Sequence, residues 1–369
     1  EDIKAVVAMK SVGAHVASDG LALGNLSKSS HKGGALIVIG DDPWSESTQV
    51  PSDSRFLAKH LHMPVMEPAT FQELKDWVSV GLDLSAKSNL YVAYLVTTNL
   101  ADGGGSVAVY GNQYPAINIK RPVQIDTKSI PVEDTVILSP RTAVKEETLA
   151  DRYSDLIRFC QLHEVNKILY PNSTKSIGFV ASGIAYSYLE HALFELGLSG
   201  RFPILKLGVT FPLDESLIKE FAELVDQIIV IEEKRDFIES QITSLLTHHY
   251  QTGKLNRFVP IWGKQFPHEL NGIPATRGLN VSVLIERIGP LFLKMNLGKL
   301  VDHDRIKQEL SLIQETASNP VQIPQRTPTF CPGCPHRDSS SVLIEVKHQF
   351  NDPEYMRKHH NHEPVDLLF

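Results

Sequence analysis

Apolar residues in this chain come in short runs, and the runs alternate with longer stretches whose apolar residues recur at three- and four-residue spacing. In the first third, residues 5–9, 36–39, 63–66 and 90–97 read as strands bounded by Gly, Asp, Pro or Asn. Helices are predicted between them over 56–61 and 71–84, the second with Leu74, Trp77, Val78 and Leu82 near one face. A second series is more regular. A strand over 177–181 leads through a turn at Ser182-Gly183 into a helix striped by Ala185, Tyr188, Leu189, Ala192, Leu193 and Leu196, which Gly197 and Gly200 end. A strand over 204–209 follows, then a helix with Asp214 as N-cap and Leu217, Ile218, Phe221, Leu224 and Val225 facing the core. A strand over 227–231 and a helix lined by Phe237, Ile238, Ile242 and Leu245 complete the series. Such alternation predicts an α/β fold of parallel sheets covered by helices. No G-x-G-x-x-G follows a strand of the second series, which argues against a dinucleotide site there.

Length and punctuation divide the chain. At 369 residues it exceeds one ordinary domain. Pro122, Pro131 and Pro140 mark a linker or crossover, and Pro260, Pro267, Pro274, Pro320, Pro324 and Pro328 interrupt a connector with helices over 282–292 and 302–314. Gly103-Gly104-Gly105 precedes Val107, Val109 and Tyr110, which read as strand, so a hairpin or loose loop is expected there and not a phosphate loop. The net charge of −7 argues against broad nucleic-acid binding. No apolar run approaches the roughly 20 residues of a membrane span, and no leader is recognised. Three cysteines cannot all pair with one another, which points to a reducing, cytoplasmic setting. The chain opens at Glu1 without Met and stops in an apolar stretch that reads as the start of a strand, so a fragment of a longer polypeptide is expected.

Chemistry concentrates at Cys331-Pro332-Gly333-Cys334-Pro335-His336-Arg337. Two thiolates three positions apart on a Pro-Gly turn can reach one metal centre, and the turn points backbone N–H groups at the sulfurs, as in zinc knuckles and iron–sulfur sites. A redox dithiol and a role without chemistry are the other readings of this spacing. Cys160, between Phe159 and the Leu162 side of an amphipathic helix, reads as a small buried apolar group. His348, His359, His360 and His362 read as a solvated segment. Asp41-Asp42-Pro43 and Glu232-Glu233 follow strand ends, and Lys10 follows another. Carboxylates at such ends are placed for ligands, but Asp before Pro is also a routine turn residue, and solvation at the sheet edge accounts for Glu232-Glu233.

Several motifs, in one order, carry a resemblance. Met9-Lys10-x-Val12-Gly13, Lys32-Gly33-Gly34, Asp41-Asp42-Pro43, Ser47-Thr48-Gln49 and Asp53-Ser54-Arg55 resemble the pyrimidine-side domain of the large (alpha) subunit of indolepyruvate:ferredoxin oxidoreductases, of the 2-oxoacid:ferredoxin oxidoreductase superfamily. Ser182 to Tyr186, Leu205 to Gly208, Phe211 to Leu213 and Val230 to Glu233 look like its transketolase C-terminal-like domain, and Cys331 to Arg337 is similar to the opening of its diphosphate-side thiamine domain. The resemblance implies a partial pyrimidine-side thiamine-binding domain over 1–125, a linker or crossover over 126–165, a transketolase C-terminal-like α/β domain over 166–255, a connector over 256–326 and the start of a third domain over 327–369.

It further implies thiamine diphosphate-dependent oxidative decarboxylation of a 2-oxoacid to an acyl-CoA, an arylpyruvate such as indolepyruvate being the family's substrate. Mg2+, a [4Fe-4S] cluster, coenzyme A and ferredoxin come with that reaction, as do a smaller gamma-type subunit or fused domain and an oligomeric assembly. Cys331 and Cys334 match cluster-ligand positions, and His336 a cofactor-contact position. Lys10, Gly13, Asp41 and Asp42 are expected near the thiamine pocket. The carboxylate that activates the pyrimidine would lie upstream of Glu1, and the fragment alone would be inactive. His15 stands where these enzymes commonly show Asn, and Thr97-Thr98-Asn99 replaces a usual Thr-Thr-Arg. Two rival readings are a non-catalytic zinc-binding scaffold of the same fold and a transketolase-like enzyme without a cluster.

Overall fold

The computed structural model describes residues 4–27, 33–46, 48–111, 128, 138–295, 297–322, 324, 330 and 333–368. Its contacts divide the chain into two compact units, residues 1–316 and 317–369.

The first unit begins with β1 (Lys4–Lys10), β2 (Gly34–Asp41), β3 (Val65–Met66) and β4 (Val92–Thr97), parallel in the order β1-β2-β4-β3. Helices α1 (Ser11–Val16), α2 (Ser18–Ser27), α3 (Arg55–His60), α4 (Phe71–Ser88) and α5 (Thr98–Asp102) connect and cover them. Helix α4 shows how local chemistry sets an element. The Thr70 hydroxyl accepts the Glu73 N–H at 3.2 Å, and the Glu73 carboxylate accepts the Ala69 N–H at 2.8 Å, which starts the helix. Asn89 ends it in the left-handed conformation at φ 58°. Small residues let α4 close on β2: Ser85 Oγ accepts the Ala35 N–H at 2.8 Å, and a Cβ on Gly81 would stand 2.7 Å from Leu36.

Two expectations change here. No strand forms over 107–110 among the described residues. The chain turns into α5 directly after β4, and Gly103 and Gly105 lie against the Phe71 ring with no room for a Cβ. The described part of the stretch read as a linker or crossover carries two helices, α6 (Arg141–Glu147) and α7 (Leu149–Leu162). Leu149, Leu156, Phe159 and Cys160 of α7 are buried with Leu84, Leu90 and Tyr94 in the core of the first sheet. The amphipathic helix expected around Cys160 is the C-terminal part of α7.

Next come β5 (Lys167–Leu169), β6 (Gly178–Ser182), β7 (Ile204–Leu207), β8 (Val209–Phe211), β9 (Ile228–Ile231) and β10 (Ile261–Trp262). The second sheet has the order β10-β9-β6-β7-β5, parallel except where β5 meets β7. Helices α8 (Gly183–Glu195), α9 (Glu215–Leu224), α10 (Phe237–Gln251), α11 (Val281–Lys294) and α12 (His303–Ser318) accompany it. The predicted strand over 204–209 is divided at Gly208. Its first part stays in the second sheet, and β8 crosses to pair antiparallel with β3 of the first. Asn166 Oδ1 accepts the Gly208 and Val209 N–H groups at 2.8 and 2.9 Å, and Glu67 N–H donates to Gly208 O at 2.8 Å. A Cβ at Gly208 would meet both the Trp77 ring and Val165 O at 2.6 Å, so the crossing is open only to glycine. The two sheets thereby share one ribbon.

The second unit holds α13 (Pro335–Asn351) and α14 (Pro353–His360). Asp352 caps α14, accepting the Glu354 N–H at 2.8 Å. The apolar C-terminal stretch predicted to begin a strand folds back instead, with Val365 N–H donating to Phe350 O at 2.9 Å and no strand among the described residues. No described helix is long and apolar enough to cross a membrane.

Candidate functional site

Within the first unit, the carboxyl ends of β2, β3, β4, β6 and β9 converge from both sheets, the position where open α/β sheets take their ligands. They border a partly open cavity of ≈ 30 Å³ lined by Asp41, Glu67, Thr97, Ser182, Gly183 and Glu233 among others. That space admits water.

Arg55 organises the wall. Its guanidinium grips Asp53 through Nε at 2.8 Å and Nη2 at 3.0 Å, and Nη1 donates to Glu232 Oε2 at 2.9 Å. Nη2 also donates to Glu233 O at 2.6 Å. Arg55 is 4% exposed and Glu232 is 1% exposed, so this pair joins α3 of the first sheet to the end of β9 away from water. Glu232 also accepts the Ile238 and Glu239 N–H groups at 2.9 and 3.0 Å, which anchors the start of α10. The expectation that Glu232 is a solvated edge residue fails because Arg55 and the helix supply its hydrogen bonds inside the fold. Glu67 accepts the Thr210 hydroxyl at 2.6 Å and the Ser182 hydroxyl at 3.3 Å, beside the start of α8. Gly183 there has φ +48°, and a Cβ on it would stand 3.3 Å from Glu67 Oε2.

Burial pushes the Glu67 carboxyl up, opposed by Arg55 and the Thr210 hydroxyl. It pushes Asp41 up against the hydrogen bonds from Ser54. Glu233 is pushed up to about 7 by burial, opposed by the Leu279 N–H and Arg55. The Thr97 hydroxyl is buried with no hydrogen-bond partner. The cluster can therefore hold a proton near neutral pH on Glu233 and orient a water between carboxylates and hydroxyls.

The residues singled out from sequence distribute as follows. Asp41 lines the cavity but is tied to Ser54, whose N–H and hydroxyl it accepts at 2.7 and 2.5 Å. Asp42 turns into its own loop, accepting the Glu46 N–H at 3.0 Å and the Thr48 N–H and hydroxyl at 2.9 Å. Lys10 and Gly13 sit where β1 passes into α1, on the same sheet end, with Lys10 opposite Gly40 in register. Neither lines the cavity. Asn99, where the related motif has Arg, donates to the Tyr188 hydroxyl at 2.7 Å. Cys160 is buried and its thiol is pushed up to about 12 by burial, so it is unreactive. In the second unit Cys334 stands at the start of α13 with its Sγ 3.3 Å from His336 Nδ1, and Cys331 lies outside the described residues. Glu67 is the site residue that sequence reading passed over, and Arg55 was singled out only as part of the Asp53-Ser54-Arg55 motif. The available signal for Glu67 was a carboxylate directly after a strand, in Met66-Glu67-Pro68.

The cofactors implied by the resemblance can be tested against these side chains. The ≈ 30 Å³ of this partly open cavity holds water and not the whole of thiamine diphosphate, so the residues at the sheet end around it would form one side of a larger cofactor site. No group of three or more His, Cys, Asp or Glu among the described residues could hold a metal ion. The Cys334 thiol beside an imidazole has the donor chemistry of a soft-metal ligand and supplies one position.

Residues 167–319 match the family model described as the indolepyruvate oxidoreductase domain. The chain is 27% identical to indolepyruvate oxidoreductase subunit IorA of Archaeoglobus fulgidus over 350 residues, covering 95% of this chain and 50% of that protein. It is 28% identical to the Pyrococcus abyssi subunit over 341 residues, covering 92% and 48%. The chain thus spans about half the length of the curated relatives it matches. Among solved structures, 2-oxoglutarate:ferredoxin oxidoreductase from Magnetococcus marinus, with 2-oxoglutarate, coenzyme A and succinyl-CoA bound, aligns with TM-score 0.50 at 14% identity, over 77% of this chain and 52% of that one. At that identity the likeness is one of fold. The chain is similar over nearly its whole length to indolepyruvate oxidoreductase subunit IorA, the alpha subunit, and its fold is like that of the 2-oxoacid:ferredoxin oxidoreductases.

Proposed function

We propose that the protein carrying this chain oxidatively decarboxylates a 2-oxoacid, an arylpyruvate such as indolepyruvate, to its acyl-CoA and passes the electrons to ferredoxin. The observation that carries this reading is the relationship to IorA subunits over 95% of the chain. Thiamine diphosphate with Mg2+, when bound, supplies the carbon nucleophile and electron sink for decarboxylation, and a [4Fe-4S] cluster takes electrons singly.

This chain contributes the scaffold and the protonic wall. Arg55 bridges Asp53 and Glu232 and fixes the strand ends of both sheets. Glu233 keeps a proton near neutral pH, and Thr97 offers an unpaired hydroxyl to a water in the cleft. Cys331 and Cys334 would hold two positions of the cluster, with His336 beside them. Lys10 and Gly13, where β1 passes into α1, would help to hold the cofactor. The partner is a smaller gamma-type subunit or fused domain in a cytoplasmic oligomer.

The test is coenzyme A-dependent reduction of a one-electron viologen dye by the intact, anaerobically purified protein with its partner subunit. Indolepyruvate is expected to be turned over at least tenfold more efficiently than pyruvate. Cys331→Ser is expected to bring dye reduction to background with the circular dichroism spectrum unchanged. Dye reduction retained by that variant would show that the pair is not a cluster ligand, and no turnover of any 2-oxoacid would remove the proposal.

A further inference from the structure

Away from the cleft, the second sheet carries another cavity, of ≈ 270 Å³, lined by Lys264, residues 271–275 and Arg287. One wall is the hairpin after β10. Ile273 N–H donates to Gly263 O at 2.8 Å, Phe266 N–H to Leu270 O at 3.2 Å, and Gln265 bridges Asn271. A Cβ on Gly272 would stand 2.2 Å from Gly263 O, so the strands close tightly only with glycine there. The other wall is α11. Arg287 sits at the edge of the stripe formed by Leu284, Ile288 and Leu291, which draws its stem inward.

Arg287 makes no hydrogen bond or ion pair with any described residue, and its Nε is closed off from solvent without an acceptor. A buried unpaired Nε is costly, and the two Nη groups, which are not closed off, are the donors open to a ligand in the cavity. The neighbouring acids do not supply an acceptor. Glu239 Oε2 accepts the Lys264 N–H at 2.8 Å, and Glu232 is held by Arg55 and the start of α10. Lys264 Nζ is fixed by donation to Glu232 O at 2.8 Å, and its other ammonium protons remain for a second acceptor.

We propose that this cavity binds the phosphate group of a small phosphorylated metabolite, with Arg287 as a forked donor and Lys264 as a second cation. A dianion matches two cations where a monocarboxylate would match one. A guanidinium fork suits the paired oxygens of phosphate. The ≈ 270 Å³, just below the roughly 300 Å³ at which small-molecule sites begin, leaves room for a short organic arm. The site is independent of the proposed reaction, since neither residue lines the carboxylate cleft, and its test needs no turnover.

Calorimetric titration of the intact protein with glycerol 3-phosphate and with inorganic phosphate tests it. Saturable binding is expected in the millimolar range or tighter, weakened at least tenfold in Arg287→Gln and partly restored in Arg287→Lys, which keeps the charge without the fork. The melting temperature of Arg287→Gln without ligand is expected to equal or exceed that of the parent, because an unpaired guanidinium is removed. Tighter binding of the monoester would assign an organic arm to the cavity, and equal affinities would assign the site to free phosphate. Failure of both ligands to bind, or binding undiminished in both variants, would overturn the assignment.

Discussion

Arg55→Met is expected to destabilise the first unit by about 3–5 kcal/mol, the cost of stranding a buried charge when its partner is removed. Arg55 meets Asp53 and Glu232 where all three are more than nine-tenths buried. Methionine fills a similar volume, so the loss reports the uncompensated carboxylates and not a cavity. Equilibrium urea unfolding of the parent and variant at neutral pH measures it. A double variant, Arg55→Met with Glu232→Gln, is expected to recover part of the loss, because the stranded charge goes with it. A single-variant change within 1 kcal/mol would show that the network does not bind the sheets together.

The second large effect is on pH dependence. The Glu233 carboxyl lies at about 7 in the fold against an ordinary value of 4.5. Because the folded value is the higher, the folded state binds more protons across that interval. The associated stability is fully present below about 4.5 and is lost as the pH rises through about 7. A shift of this size amounts to on the order of 3 kcal/mol. Asp41 and Glu67 are also raised by burial and add to the same alkaline loss. Glu233→Gln is expected to flatten the stability profile between about pH 5 and 8 while leaving Leu279 N–H its acceptor. Urea midpoints across that range give the result, and a profile with the parent's slope would contradict the assignment of the proton to Glu233.

Much of the fold was legible because a strand or a helix is written in neighbouring residues. The alternation that gives β6, α8, β7, α9, β9 and α10 needs only local periodicity and the Asp214 cap. What local pattern cannot carry is which sheet a strand joins. The break at Gly208 follows from Trp77 and Val165, distant in sequence, closing on one glycine. The C-terminal part of helix α7 was legible around Cys160, while its start at Leu149 was not marked off from the proline-punctuated stretch before it. The site divides the same way. Asp41 and Glu232-Glu233 were visible as acids at strand ends, but their environment depends on Arg55, which is 177 residues away from Glu232. Glu67 becomes part of the cleft only because Ser182 and Thr210 fold against it.

The central claim is that this chain belongs to a thiamine-dependent electron-transferring decarboxylase, and cofactor content tests it most directly. The protein purified without oxygen together with its partner subunit should contain thiamine diphosphate in about stoichiometric amount, with iron and acid-labile sulfide in equal proportion. Zinc at the cysteines with neither thiamine nor sulfide would contradict the claim and leave a metal-stabilised scaffold of the same fold.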